Sequence, residues 1–262
     1  MNINKKLINI KDRIDRRSKD LRSEYLDKIN LSSDHSKSAR NNMGCSNIAH
    51  AFASCDKAQQ GEAANGAKVI GVISAYNDML SAHAPLKDYP DVIKESSLKR
   101  NAIARVAGGV PAMCDGITQG EPGMELSLFS RDVIALSTAV GFSHNVFDAG
   151  LCLGVCDKIV PGLMIGALTF GHLPIGFIPA GPMPTGISNS KKSDTRKKFA
   201  NGEVDRSTLI SSEQAAYHTS GTCTFYGTAN TNQLIMEVMG LQLPSASFVP
   251  PSSIERQLII DK

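Results

Sequence analysis

The sequence predicts an α/β protein, a three-layer sandwich around a mainly parallel sheet, with a helical arm at the N-terminus. Three observations support this prediction. Apolar segments with strand character alternate along the chain with segments of helical periodicity. The predicted strands are continuous apolar runs, as in parallel sheets covered on both faces. The composition is globular, with 42% hydrophobic and 20% charged residues in a chain of 262, enough for a sizeable core.

The basic charge of the chain is concentrated at its start. Residues 1–42 are predicted to form a basic helical arm and linker, and residues 43–262 an α/β domain. Residues 1–40 carry 11 Lys and Arg against 6 Asp and Glu, a net charge of +5, whereas the remainder is −2. Apolar residues from Leu7 to Tyr25 recur at helical spacing, which predicts an amphipathic helix packed on this or a partner subunit. The interleaved acids and scarce aromatics argue against nucleic-acid binding.

The sequence indicates a cytoplasmic protein without a membrane partner. Lys5 and Lys6 interrupt any apolar signal-peptide core, and the apolar runs are broken by Pro and Gly before they could span a bilayer. In a cytoplasmic chain, cysteines are expected as buried thiols or metal ligands rather than disulfides. The six cysteines are Cys45, Cys55, Cys114, Cys152, Cys156 and Cys223.

The elements of the domain follow in order. Buried strands are predicted over residues 67–78, 145–158 and 172–181. Helices are predicted over residues 131–141, 160–171 and 193–218. A glycine ends the first of these helices, and Pro161 lies in the first turn of the second. The last of these helices is rich in charged residues and is predicted to lie on the surface of the domain.

Three polar loops are predicted to lie beyond the carboxyl ends of the strands, which is where parallel sheets bind their ligands. One follows the first strand at Asn77 and Asp78, one surrounds Asp115, and one contains "GVCDKIVPGL" at residues 154–163. The last places a soft thiol, a carboxylate and an amine at consecutive positions. A metal site and an ordinary buried cysteine both explain this pattern.

Three further segments could take part in chemistry. Residues 111–127 combine glycines with spaced carboxylates, which suits Mg²⁺, a plain turn or a phosphate-binding loop. Cys223 lies between glycines and hydroxyl residues, as a metal ligand or a buried thiol would. His83 could act as a general acid or base, or could orient its loop. The chain contains neither a Cys-x-x-Cys pair nor a Gly-x-Ser-x-Gly elbow, so zinc-ribbon and hydrolase interpretations are rejected.

Four long motifs resemble the dihydroxyacid dehydratase/phosphogluconate dehydratase family, most closely its phosphogluconate branch. They are "AYNDMLSAHAP", "VAGGVPAMCDGITQGEPGMELSLFSRDVIALS", "HNVFDAGLCLGVCDKIVPG" and "TSGTCTFYGTANTNQLIMEVMGLQLP". The resemblance implies an iron–sulfur hydro-lyase that converts 6-phospho-D-gluconate to 2-dehydro-3-deoxy-6-phospho-D-gluconate and water, in the Entner–Doudoroff route. A related dihydroxyacid or sugar-acid dehydratase, and an inactive fragment, are the alternatives.

The resemblance also implies the site. Cys156 and Cys223 match ligands of a cluster, expected to be 4Fe–4S. Asp115 and Asp157 match positions that hold Mg²⁺ in the dihydroxyacid relatives. Lys158 matches a lysine that is carbamylated in some of them, and it is expected to be catalytic.

One departure from the family leaves a ligand unassigned. Where dihydroxyacid dehydratases have Pro-Cys-Asn, this chain has Ser81-Ala82-His83, so a cluster cysteine is missing. Cys45 is preferred as the replacement over Cys114, because Cys114 beside Asp115 could as easily serve packing. His83 is retained as the candidate acid or base.

The family's chains are more than twice as long. Their second half carries a further metal ligand, a serine base and a smaller β-rich domain, which is absent here. The last helix begins at Ile254, only nine residues before the sequence stops, so the chain reads as truncated. A homodimer is the family expectation.

Overall fold

The computed structural model describes residues 4–32, 39–223 and 227–262. A four-stranded sheet in the order β2-β1-β3-β4, with all neighbours parallel, forms the centre of the domain. The strands are β1 (Lys68–Ser74), β2 (Ala102–Gly109), β3 (Ala149–Leu153) and β4 (Ile175–Ile178). The predicted α/β class with a parallel sheet is therefore confirmed.

Helices precede, connect and follow the strands. Within the described residues they are α1 (Lys5–Ser32), α2 (Cys45–Phe52), α3 (Lys57–Ala64), α4 (Tyr89–Leu98), α5 (Asp115–Thr118), α6 (Ser127–Phe142), α7 (Ile159–Leu168), α8 (Asn189–Ala200), α9 (Arg206–Ala216), α10 (Thr228–Val238) and α11 (Ile254–Asp261).

Helices cover both faces of the sheet. On one face α6 packs against β1 and β2, and α7 packs along α6. On the other face α4 packs on β2 and α11 packs on α4. Ile73 of β1 and Phe142 of α6 are completely buried in the shared core, together with Leu163 of α7. The result is the predicted three-layer arrangement.

The connections reverse direction beside β1. The chain leaves β1 through α4 to reach β2 on one side, and it leaves β3 through α7 to reach β4 on the other side. The carboxyl ends of β1 and β3, which lie next to each other, are therefore the switch point of the sheet. Ligand crevices of open α/β sheets form at this point.

The elements differ from the sequence prediction in several places, and each predicted strand is longer than the observed one. The strand β2 was missed, because "AIARVAGG" has an arginine inside it and two glycines at its end. The predicted surface helix over residues 193–218 is a pair of helices, α8 and α9, which are joined through Glu213 by the side chains of Lys192 and Arg196. The predicted linker lies partly outside the described residues, which resume at residue 39.

The arm forms the predicted helix, α1. None of its residues is buried, and its apolar side chains Leu7, Ile14 and Leu21 remain exposed. It contacts the domain near its end, where the Tyr25 hydroxyl donates a hydrogen bond to the Leu168 carbonyl over 2.9 Å. Among the described helices, none combines the length and the apolar character that a bilayer span requires.

The packing of α7 on α6 depends on two glycines. A Cβ added to Gly162 would lie 2.8 Å from the Arg131 carbonyl oxygen, and one added to Gly166 would lie 2.7 Å from the Ala135 carbonyl oxygen. Both contacts are with the backbone of α6, which a rotamer change cannot relieve. The two helices therefore approach closely because α7 carries Gly-x-x-x-Gly.

Replacing Gly166 by alanine should destabilise the domain by about 1–3 kcal/mol, since the added methyl group forces the two helices apart. The control is Gly61→Ala in α3, which is also helical but has no atom within 4 Å of an added Cβ. This control should raise stability by about 0.5–1 kcal/mol. Urea denaturation measures both values, and equal effects would contradict the close approach.

Candidate active site

Lys158 joins two loops at the switch point. Its ammonium Nζ lies 3.0 Å from Oδ1 of Asp157 and also donates a hydrogen bond to Oδ2 of Asp115. Asp115 begins α5 in the loop after β2, whereas Asp157 follows β3. Lys158 is only 5% exposed, whereas the side chains of Asp115 and Asp157 are about one-third exposed, so water reaches the carboxylates but not the amine.

Hydroxyl groups complete the carboxylate contacts. The Ser127 hydroxyl, at the start of α6, donates to Oδ1 of Asp115. The Thr228 hydroxyl, at the start of α10, donates to Oδ2 of Asp157 over 3.3 Å. Thr228 is one of the hydroxyl residues that the sequence places around Cys223, but its contact with Asp157 was not predicted. Ser127 was not predicted at all, because a single hydroxyl at a helix start forms no motif.

The hydrogen bonds of this contact shift the pKa values of Lys158 and Asp115. Burial alone would lower the pKa of the Lys158 amine, but the hydrogen bonds to Asp115 and Asp157 outweigh burial and raise that pKa. Burial alone would raise the pKa of Asp115, but the hydrogen bonds from Lys158 and Ser127 bring it below its usual value. Lys158 is therefore a protonated cation between two carboxylates at neutral pH.

Cys156 is held in an unusual backbone conformation next to this cluster of charges. Its φ of +81° lies in the left-handed region, which costs a residue other than glycine roughly 1 kcal/mol or more. Burial raises the pKa of its thiol far above the usual range, and the charges of Cys114, Asp157 and Cys223 raise it further, while Lys158 opposes them. Two other thiols are thus close enough to interact with Cys156.

The Cys223 segment reaches the site from the far side. Gly221, with φ of +132°, lets the chain approach the backbone of Met183, where an added Cβ would lie 2.5 Å from the amide nitrogen. The Asn230 amide then donates to the Cys223 carbonyl oxygen over 3.1 Å. Cys223 itself is half-buried. Residues 224–226, which include Thr224, one of the hydroxyl residues next to Cys223, lie outside the described part of the chain.

His83 lies beneath the site rather than on its surface. Its side chain is completely buried, and its Nε2 lies 3.1 Å from the carbonyl oxygen of Val155, the residue before Cys156. Because a carbonyl only accepts, Nε2 carries the proton, and the buried Nδ1 has no partner. Burial lowers the pKa of His83 to about 4, so it is neutral at pH 7. Its role as a general acid or base stays a prediction.

The remaining cysteines lie elsewhere. Cys45 is exposed at the start of α2. Cys152 is fully buried in β3. Cys55 is half-buried, and its sulfur accepts a hydrogen bond from Arg105.

The donor atoms of the site suit the two groups that the resemblance implies, a cluster and a hard cation. Within the described ranges, no three Cys, His, Asp or Glu side chains meet closely enough to hold a single metal ion. Cluster thiolates bind different irons, so they need not converge as the ligands of one ion do. The neighbouring thiols around Cys156 therefore fit an iron–sulfur cluster. The Asp115 and Asp157 carboxylates fit a hard cation, whose place the Lys158 ammonium takes here.

The fold and the site together define a class: a parallel α/β protein whose switch-point loops bring thiols, carboxylates and a lysine together. The family model described as "Dihydroxy-acid/6-phosphogluconate dehydratase N-terminal" matches residues 68–262. The chain belongs to this family.

Curated phosphogluconate dehydratases are similar over nearly the whole chain, and a dihydroxy-acid dehydratase is similar over a smaller part of it. The phosphogluconate dehydratase of Rhizobium meliloti (strain 1021) is 54% identical over 255 residues, which are 97% of this chain and 42% of the relative. That of Pseudomonas aeruginosa is 55% identical over 250 residues, 95% of this chain and 41% of the relative. The dihydroxy-acid dehydratase of Akkermansia muciniphila is 33% identical over 194 residues, 72% of this chain and 35% of the relative. The chain therefore spans about two-fifths of the length of the phosphogluconate dehydratases it matches.

Proposed function

We propose that this protein is an iron–sulfur dehydratase that converts 6-phospho-D-gluconate to 2-dehydro-3-deoxy-6-phospho-D-gluconate and water. The observation that carries the proposal is the contact of Lys158 with Asp115 and Asp157 beside the thiol of Cys156. It is supported by 54–55% identity to two phosphogluconate dehydratases, against 33% to a dihydroxy-acid dehydratase. Cys156 and Cys223 are the proposed cluster ligands.

The chemistry explains why thiols and carboxylates belong at one point. Dehydration removes the C2 proton and the C3 hydroxyl of the sugar acid, and the resulting enol becomes the 2-keto product. When bound, a cluster with one iron that lacks a thiolate supplies a Lewis acid for the departing hydroxyl. The Lys158 ammonium offers a buried positive charge toward the negative charge that develops at the substrate carboxylate. The Asp115 and Asp157 carboxylates hold Nζ of Lys158 in its protonated state.

Mg²⁺ is proposed as a second cofactor that depends on the state of Lys158. Carbamylation would change this side chain from a cation to an anion, so that it and the two aspartates would form three anionic oxygen donors. The ammonium form instead offsets part of the negative charge of the two carboxylates, so the site attracts a cation less strongly. ¹³C NMR with labelled bicarbonate, with and without Mg²⁺, detects the carbamate; no carbamate signal under either condition would remove this part of the proposal.

We propose a cytoplasmic homodimer that binds neither membranes nor nucleic acid. The exposed apolar side chains of α1 and those of α6, including Leu128, Leu136 and Val140, offer surface for a second copy. Sedimentation equilibrium distinguishes a dimer from a monomer.

The reaction is tested in two preparations. Anaerobic reconstitution of the 262-residue chain with iron and sulfide should give a brown protein that does not dehydrate 6-phosphogluconate, because the chain spans about two-fifths of its relatives. A chimera that joins this chain to the remaining length of the Pseudomonas aeruginosa relative should dehydrate 6-phosphogluconate and should prefer it to gluconate. A colourless preparation without iron, or a cluster-loaded chimera that leaves 6-phosphogluconate unchanged, would contradict the proposal.

A further inference from the structure

Two Cys-Asp dipeptides lie in neighbouring loops of the site. Cys114 precedes Asp115 in the loop after β2, and Cys156 precedes Asp157 in the loop after β3. The Lys158 ammonium contacts both aspartates, so a single side chain ties the two dipeptides together. The two cysteines are therefore brought to the same part of the switch point.

The surroundings of the two thiols agree with this placement. Cys114 is half-buried at the N-terminal end of α5, and its sulfur lies 3.6 Å from where a Cβ on Gly116 would be. The segment after Cys223 reaches the same site, because the hydroxyl of Thr228, five residues later, donates a hydrogen bond to Oδ2 of Asp157 over 3.3 Å.

Cys45 belongs to the opposite edge of the sheet. Arg40, five residues earlier, donates hydrogen bonds to the carbonyls of Ala67 and Val146. Those carbonyls precede β1 and β3, so this segment lies at the amino ends of the strands. Cys156 follows β3 and therefore lies beyond the carboxyl ends, at the opposite end of the strands.

We propose that Cys114, rather than Cys45, is the third thiolate ligand of the cluster, together with Cys156 and Cys223. This inference rests on the proposed function, since it requires that the chain binds a cluster. Each thiol releases one proton on ligating iron, and no electron transfer is involved. Asp115 and Asp157, each adjacent to a ligand cysteine, then present carboxylates beside the cluster.

The first test compares iron and sulfide content after anaerobic reconstitution. Cys114→Ser should lose most of the iron and sulfide, or should hold a cluster with an altered Mössbauer or EPR spectrum, whereas Cys45→Ser should match the wild type. Circular dichroism verifies that each variant is folded. A normal cluster in Cys114→Ser combined with loss in Cys45→Ser would overturn the inference and leave the proposed function standing. A wild-type chain without any cluster would overturn both.

The second test needs no substitution, so it still decides the question if Cys114→Ser does not fold. Alkylation by iodoacetamide, read by mass spectrometry, is compared in the cluster-loaded and the metal-free wild-type chain under anaerobic conditions. Cys114, Cys156 and Cys223 should be protected by the cluster, and the exposed Cys45 should react equally in both states. Equal labelling of Cys114 in both states, with protection of Cys156, would overturn the assignment.

Discussion

Cys156→Ser and Cys223→Ser should each lose nearly all bound iron and sulfide after anaerobic reconstitution. A serine hydroxyl is a hard, weakly acidic ligand, so it does not replace a thiolate on iron. The thiol of Cys156 is also held by a left-handed backbone, with φ of +81°, which gives the ligand a defined direction. Iron and sulfide per chain, together with the visible charge-transfer absorption, measure the loss.

The matched control for the cluster variants is Cys55→Ser. Cys55 is half-buried and its sulfur contacts Arg105 of β2, away from the charges at Lys158. A hydroxyl accepts the same hydrogen bond, so this variant should keep the full cluster. Full iron and sulfide in both Cys156→Ser and Cys223→Ser would remove the ligand assignment, and loss in all three variants would indicate a general effect on folding.

Asp148→Ala should destabilise the domain by about 3–5 kcal/mol, the largest stability effect that we expect for one substitution. Oδ2 of Asp148 lies 3.0 Å from Nη1 of Arg40 and accepts a hydrogen bond from the Val69 amide over 2.8 Å. Both charged side chains are about nine-tenths buried. Removing the carboxylate leaves the Arg40 charge buried without a counter-ion. Urea denaturation at neutral pH measures the change.

Lys68→Met provides the control for the ion pair. Nζ of Lys68 lies 3.5 Å from the other oxygen of Asp148, but its side chain is 68% exposed. An exposed pair of this kind contributes at most about 1 kcal/mol. The two variants are compared by their loss in free energy of unfolding. An equal loss for Asp148→Ala and Lys68→Met would show that the buried ion pair does not anchor the segment around Arg40 to the amino ends of β1 and β3.

Parts of the site could be predicted because their residues are consecutive. Cys156, Asp157 and Lys158 stand side by side in the sequence, after an apolar run that forms β3. If the apolar run before them forms a strand, these three residues must lie together at the carboxyl end of that strand. The contacts of the Ser127 and Thr228 hydroxyls with Asp115 and Asp157 could not be predicted, because each hydroxyl meets its aspartate only after the chain has folded.

The choice between Cys45 and Cys114 as the third cluster ligand also depends on contacts that form only after the chain has folded. In the sequence both are single cysteines near polar residues, and the adjacent Asp115 gave no reason to prefer Cys114. The pairing of the strands separates them. Parallel strands collect the loops that follow them at one edge and the segments that precede them at the other.

The sequence by itself determined the α/β class, the helical arm, the family and the adjacent thiol, carboxylate and lysine, because these depend on local periodicity and on residues next to one another. Only the tertiary structure decided that Asp115 reaches Lys158, 43 positions later, so that the loop of Cys114 and the loop of Cys156 meet at one lysine. The missed strand β2 delivers Cys114 and Asp115, and its place beside β1 is set by hydrogen bonds between strands. Such long-range pairing leaves no mark on the spacing of residues within either strand.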